Sequence, residues 1–142
     1  MTHRPVPSEY NSYYEGYVSS AGDDPIAQLE QQIVAFEKAR GLDESAASTP
    51  PAPGEWTLKE VLVHLCDFER MFSYRALRFS RGDATPVEAF EQDAYVATSG
   101  ANRRPLSEIV DELVSLRRAT ILLARSLSEE MLDRAGSAGG HP

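Results

Sequence analysis

An all-α fold is predicted by three observations on this sequence. Apolar residues recur at spacings of three and four along three long stretches, capping side chains or prolines stand at their starts, and no run alternates apolar and polar residues over a useful length. At 142 residues and 42% hydrophobic content the chain has the size and apolar share of one core, so residues 1–142 are expected to form a single bundle domain.

Residues 1–23 are rich in Pro, Ser and Tyr, and Tyr10, Tyr13, Tyr14 and Tyr17 make up four of the six tyrosines. Rings with a polar tip suit an ordered lead-in lying along a helical surface. The first long helix is predicted from Asp24-Pro25, a cap followed by a proline whose missing N–H costs nothing at the first helical position. Ile26, Leu29, Ile33 and Phe36 mark its apolar face, and Gly41 is its natural stop. The Ala, Ser and Pro-rich segment from Leu42 to Gly54 reads as a linker.

The second helix has the strongest start signal. Thr57 and Glu60 stand in the relation of a capping box, with Trp56 and Val61 placed as a hydrophobic staple. It is expected to end near Ser80, before Gly82, with an apolar arc of Leu58, Val61, Leu62, Leu65, Phe68, Phe72, Ala76 and Phe79. From Gly82 to Pro105 the pattern predicts a long crossover with its own small helix, opened by Thr85-Pro86-Val87-Glu88. The third helix starts near Pro105 and carries Leu106, Ile109, Leu113, Leu116, Thr120, Leu123 and Leu127 as a bundle seam. A helical turn over 128–134 follows, and the Gly-rich end from Ala135 to Pro142 cannot form a packed helix. No internal repeat is present.

Charge and composition narrow the function classes. The net charge of −8 lacks the basic footprint of a nucleic-acid-binding surface, and no apolar run reaches the length of a membrane span. Neither nucleic acid nor membrane is expected as a partner. The single cysteine, Cys66, has no second thiol for a disulfide, and with no apolar stretch after Arg4 a cytoplasmic location is expected. P-loop, G-x-S-x-G and H-E-x-x-H motifs are absent.

His64 is the only histidine inside a predicted helix, at the margin of the apolar arc and in line with Met71 and Arg75. That position suits a residue lining a bundle cavity, and it equally suits an ordinary half-exposed histidine. Asp67, one turn on, has the spacing of a carboxylate that orients a metal-binding imidazole from behind, or of a solvated acid paired with Arg70 or Arg75. Cys66 faces away from His64, which excludes a Cys/His nucleophilic pair within the helix. Glu88, Glu91 and Asp93 lack the Glu-x-x-His arrangement of di-iron bundles and read as a solvated face.

The run Glu55-Trp56-Thr57-Leu58-Lys59-Glu60-Val61-Leu62-Val63-His64-Leu65-Cys66-Asp67 resembles the DinB/YfiT-like family pattern of a tryptophan, a cap and a helix carrying H-L-x-D. Ser8-Glu9-Tyr10 with Tyr13-Tyr14 and Gly16-Tyr17, then Phe90-Glu91-Gln92-Asp93, and the helix after Arg104-Pro105-Leu106 are also similar to that family, in the same order.

The resemblance implies a four-helix bundle of the up-down-down-up type, with three of its long helices in this chain. It further implies a divalent metal, zinc or nickel, held by three histidines, one at the position of His64 with Asp67 behind it. The other two belong to an H-x-x-x-H on a fourth helix, and this sequence contains no such motif. The implied activity is transfer or isomerisation with a low-molecular-weight thiol such as bacillithiol or mycothiol on an electrophilic small molecule, or metal-dependent hydrolysis. The expectation for this chain is a bundle incomplete at its C-terminus, or completed by a partner, or without metal. The alternative function is a metal-free bundle acting as a stress-associated interaction module or small-molecule binder. Exposed apolar stripes would favour a homodimer, with Leu106, Ile109, Leu113 and Leu116 as its seam.

Overall fold

Asp24 accepts a hydrogen bond from the Ala27 amide at 2.9 Å with Pro25 next in the turn, so the first long helix begins where its cap predicts. The computed structural model describes residues 4–140. Its α-helices are α1 (Glu15–Ser20), α2 (Pro25–Ala39), α3 (Glu44–Ala47), α4 (Leu58–Ser80), α5 (Gln92–Thr98), α6 (Leu106–Arg125) and α7 (Glu129–Leu132). The three long ones are α2, α4 and α6, as the periodicity predicts. The tyrosine-rich segment forms a 3-10 turn, Ser12–Tyr14, running into α1, and Tyr13 and Tyr17 stay 67% exposed.

The predicted linker is docked, not loose. Asp43 caps α3, and Glu44 then joins two long helices: one carboxylate oxygen accepts the Leu106 amide at 2.6 Å and the other pairs with Lys59 Nζ at 2.5 Å. No side chain at the Pro105 cap satisfies the start of α6, so Glu44 supplies that acceptor from a distant part of the chain. The α4 capping box is complete: the Glu60 amide donates to Thr57 Oγ1 at 3.1 Å and the Thr57 amide to Glu60 Oε2 at 2.8 Å. Thr57 Oγ1 also meets Asn102 Oδ1 at 2.8 Å.

Helix direction follows from which residues meet. Thr57 lies beside Asn102, Glu69 beside Arg117, and the Ser80 carbonyl accepts from Arg134, so α4 and α6 run parallel. Arg40 reaches Asp111 at 2.7 Å while Glu30 meets Arg125 at 2.5 Å, so α2 runs antiparallel to α6. These are the first three members of an up-down-down-up order. Parallel neighbours need a long return, which the segment from Gly82 to Pro105 provides; Gly82 turns the chain at φ 74°.

The crossover departs from its sequence reading. No helix opens at Thr85-Pro86-Val87-Glu88; the small helix begins at Gln92. The Val87 amide donates to Ser137 O and its carbonyl accepts from Gly139 N, both at 2.9 Å, which holds Val87 in an isolated parallel bridge to Ala138. That pairing takes the backbone groups a helix would need. Gly136 lies so close to Phe79 that an added Cβ would stand 2.0 Å from the ring.

The core joins α4 and α6 over Leu62, Val63, Cys66, Leu106, Ile109, Val110, Leu113 and Val114, with Ile33 and Phe36 of α2 packed against it. Each fully buried aliphatic side chain contributes about 1.5–3 kcal/mol. Two expectations are corrected here. The face of α4 buried against α6 carries Leu62, Val63, Cys66 and Glu69, while Val61 and Phe72 of the predicted arc remain 37% and 46% exposed. The proposed dimer seam lies inside the chain, with Leu106 1%, Ile109 0% and Leu113 0% exposed.

Within this core sits an ion pair. Arg117 Nη2 lies 2.5 Å from Glu69 Oε1, and the two side chains are 8% and 9% exposed. Thr120 Oγ1 donates to the second Glu69 oxygen at 2.5 Å, Gln32 Oε1 accepts from Arg117, and the guanidinium lies 5.2 Å from the Phe36 ring centroid. Breaking a buried pair strands a charge. Glu69→Ala is therefore expected to cost about 3–5 kcal/mol in urea denaturation, and Glu69→Met with Arg117→Met to recover most of it.

Candidate functional site

His64 sits on α4 one turn beyond the capping box, half-buried, between two rings. The Trp56 ring lies 4.9 Å away and the Phe68 ring 4.3 Å away, centroid to centroid. Trp56 thus packs on His64, where the staple reading assigned it to Val61. Phe68 continues the row to Phe72 at 5.2 Å, and the crossover adds Phe90, 5.3 Å from Phe68, and Tyr95, 5.3 Å from Phe90. The spacing 64, 68, 72 places successive rings on one helix face. Phe90 joins them because the crossover runs back along α4, with the Glu88 carbonyl accepting from Arg75 at 3.2 Å.

The electrostatics are those of a partly dehydrated site. Burial pushes the His64 imidazole below its ordinary value of 6.5, against the opposing charges of Asp67 and Asp93. Burial likewise raises the Asp67 carboxyl, while Arg70, 3.9 Å away, pulls it down. Among the described residues no hydrogen bond joins Asp67 to His64. Glu88, Glu91 and Asp93 are exposed, as a solvated face should be. Cys66 is 0% exposed, and burial pushes its thiol up to about 12, leaving it a packed apolar atom without nucleophilic character.

Among the described residues no three His, Cys, Asp or Glu side chains come together in a way that could hold a divalent metal. His64 is the single described histidine, since His3 and His141 lie outside the described residues. A site of one imidazole with carboxylates not gathered around it does not fit a catalytic metal, which takes three protein ligands. Sequence reasoning singled out His64 and Asp67 and passed over the ring row; the signal was present locally in Trp56, Phe68 and Phe72, and absent for the distant Phe90.

The sequence matches the family described as the DinB superfamily over residues 28–142. No curated protein matches the chain. Among solved structures it is similar to YfiT from Bacillus subtilis, described as a probable metal-dependent hydrolase with an unusual four-helix bundle topology. The TM-score is 0.70 at 20% sequence identity, covering 94% of this chain and 73% of that one. At this identity the likeness establishes the fold. No described helix is long and apolar enough to cross a membrane.

Two measurements probe the site's electrostatics. Because its folded pKa lies below its unfolded one, His64 contributes stability above pH 6.5 that is lost as pH falls through the window between the two. An NMR titration of the His64 ring should therefore give a midpoint below 6.5, and Asp67→Asn should lower it further by removing a negative charge. Cys66 should react with an aromatic disulfide only as fast as the bundle opens, with full labelling in denaturant; rapid labelling of the native protein would contradict its burial.

Proposed function

The chain belongs to the DinB superfamily, and from that membership we propose that it supplies one imidazole, His64, to a divalent metal centre of zinc or nickel type whose other ligands are not among the described residues. The activity we assign to that centre is transfer of a low-molecular-weight thiol, of the bacillithiol or mycothiol kind, to an electrophilic small molecule, with hydrolysis as the related reaction.

The observation that carries this reading is the setting of His64. A metal ligand must present a neutral imidazole in a fixed direction, and here two rings flank the side chain while partial burial lowers its pKa, which favours the neutral form. Asp67 lies one turn on and interacts electrostatically with the imidazole, and on this reading it would orient the second ring nitrogen once a ligand fixes the first. The probable metal-dependent hydrolase YfiT, which shares the fold, supports the same direction. When bound, the metal would lower the pKa of a thiol or water; the chain's own contribution is to hold His64 between Trp56 and Phe68.

A second reading is favoured by one observation: the described residues contain no group able to hold a metal. On that reading the same ring row belongs to a metal-free module that binds small molecules. Calorimetric titration of the whole chain with zinc or nickel separates the two. The metal reading expects binding at micromolar concentration that weakens at least about tenfold in His64→Ala. No binding, or binding that His64→Ala leaves unchanged, supports the metal-free module.

A further inference from the structure

Arg75 stands at the far end of the ring row from Trp56, and among the described residues its charge has no acidic counterpart. The sequence carries 22 acidic residues, yet no carboxylate pairs with Arg75 among the described residues. Its recorded polar contact is Nη2 to the Glu88 carbonyl at 3.2 Å, and its Nε is sealed from solvent with no acceptor. Lys38, Arg81, Arg103 and Arg118 also lack ion pairs, but all four are exposed and water serves them. Arg75 alone among these is half-buried, where an uncompensated guanidinium carries a desolvation cost.

What lies beside the charge gives the other half of the ligand. The guanidinium is 5.6 Å from the Phe72 ring centroid, and Phe72, 46% exposed, leads through Phe68 to His64. A charged fork beside the exposed ring of Phe72, at the end of a row of half-buried rings, matches a molecule with a carboxylate head and an apolar, ring-bearing body. We propose that Arg75 and Phe72 form a recognition site for small organic carboxylates of this kind, delivering the apolar body toward His64. The proposal rests on the His64 reading for its direction along α4, and its test needs no metal.

The test uses the whole chain with chelator present and two probes, phenylbutyrate and its uncharged amide, followed by the fluorescence of Trp56 and by calorimetry. Trp56 is the only tryptophan in the chain. The acid should bind at least about tenfold more tightly than the amide, as a charge-assisted pair requires. Arg75→Gln should abolish that preference, and Arg75→Lys, which keeps the charge but not the planar fork, should retain a smaller one. Equal binding of acid and amide, binding of neither, or an unchanged preference in Arg75→Gln overturns the proposal. If His64→Ala leaves the acid preference intact while metal binding is nowhere found, the carboxylate site stands and the metal reading falls.

Discussion

The buried contact between Glu69 and Arg117 is the constraint from which the rest of the arrangement follows. Such a pair adds little net stability over apolar residues of the same volume. What it imposes is register: sliding α6 along α4 by one turn would leave both charges in the core without a partner. Gln32 and Phe36 bring α2 to the same guanidinium, so one side chain fixes the relation of three helices. With that register set, Thr57 meets Asn102 at one end and Arg134 meets Ser80 at the other.

That register also decides what α4 shows to its surroundings. The helix is apolar round more of its circumference than one neighbour covers, which is the pattern of an element packed on more than one side. One face is consumed by α6. The other holds Trp56, His64, Phe68 and Phe72, half covered by the returning crossover. An acidic chain thus carries on one stripe a histidine whose pKa burial lowers and a guanidinium with no carboxylate beside it among the described residues.

Much of this was legible in the sequence. The caps at Asp24-Pro25 and at Thr57 with Glu60 act over four residues, and local signals of that reach survive folding. Thr85 to Glu88 carries the same type of signal and fails, because the backbone groups of Val87 are taken by Ser137 and Gly139 far along the chain. The packed face of α4 was misplaced for a related reason: Lys59 and Glu69 are charged yet buried, and periodicity assigns charges to water. His64 could be picked out as a boundary residue, but its electrostatics depend in part on Asp93, which only the path of the crossover brings near. Arg75 was visible in line with His64, while its lack of a partner belongs to the fold alone.

The parallel alignment of α4 with α6 has a kinetic side. In an up-and-down bundle each helix finds its neighbour across a short turn, whereas here the pairs Thr57 with Asn102 and Glu69 with Arg117 are separated by 45 and 48 residues. The entropy of closing so long a loop must be overcome before any of the contacts between them form. On a ribosome adding about 5–20 residues per second, α4 would be complete for roughly two to nine seconds before its partner is made. Through that interval Leu62, Val63 and Cys66 face water together with Phe68 and Phe72, so the nascent chain is most exposed to misassociation well before its last helix is translated.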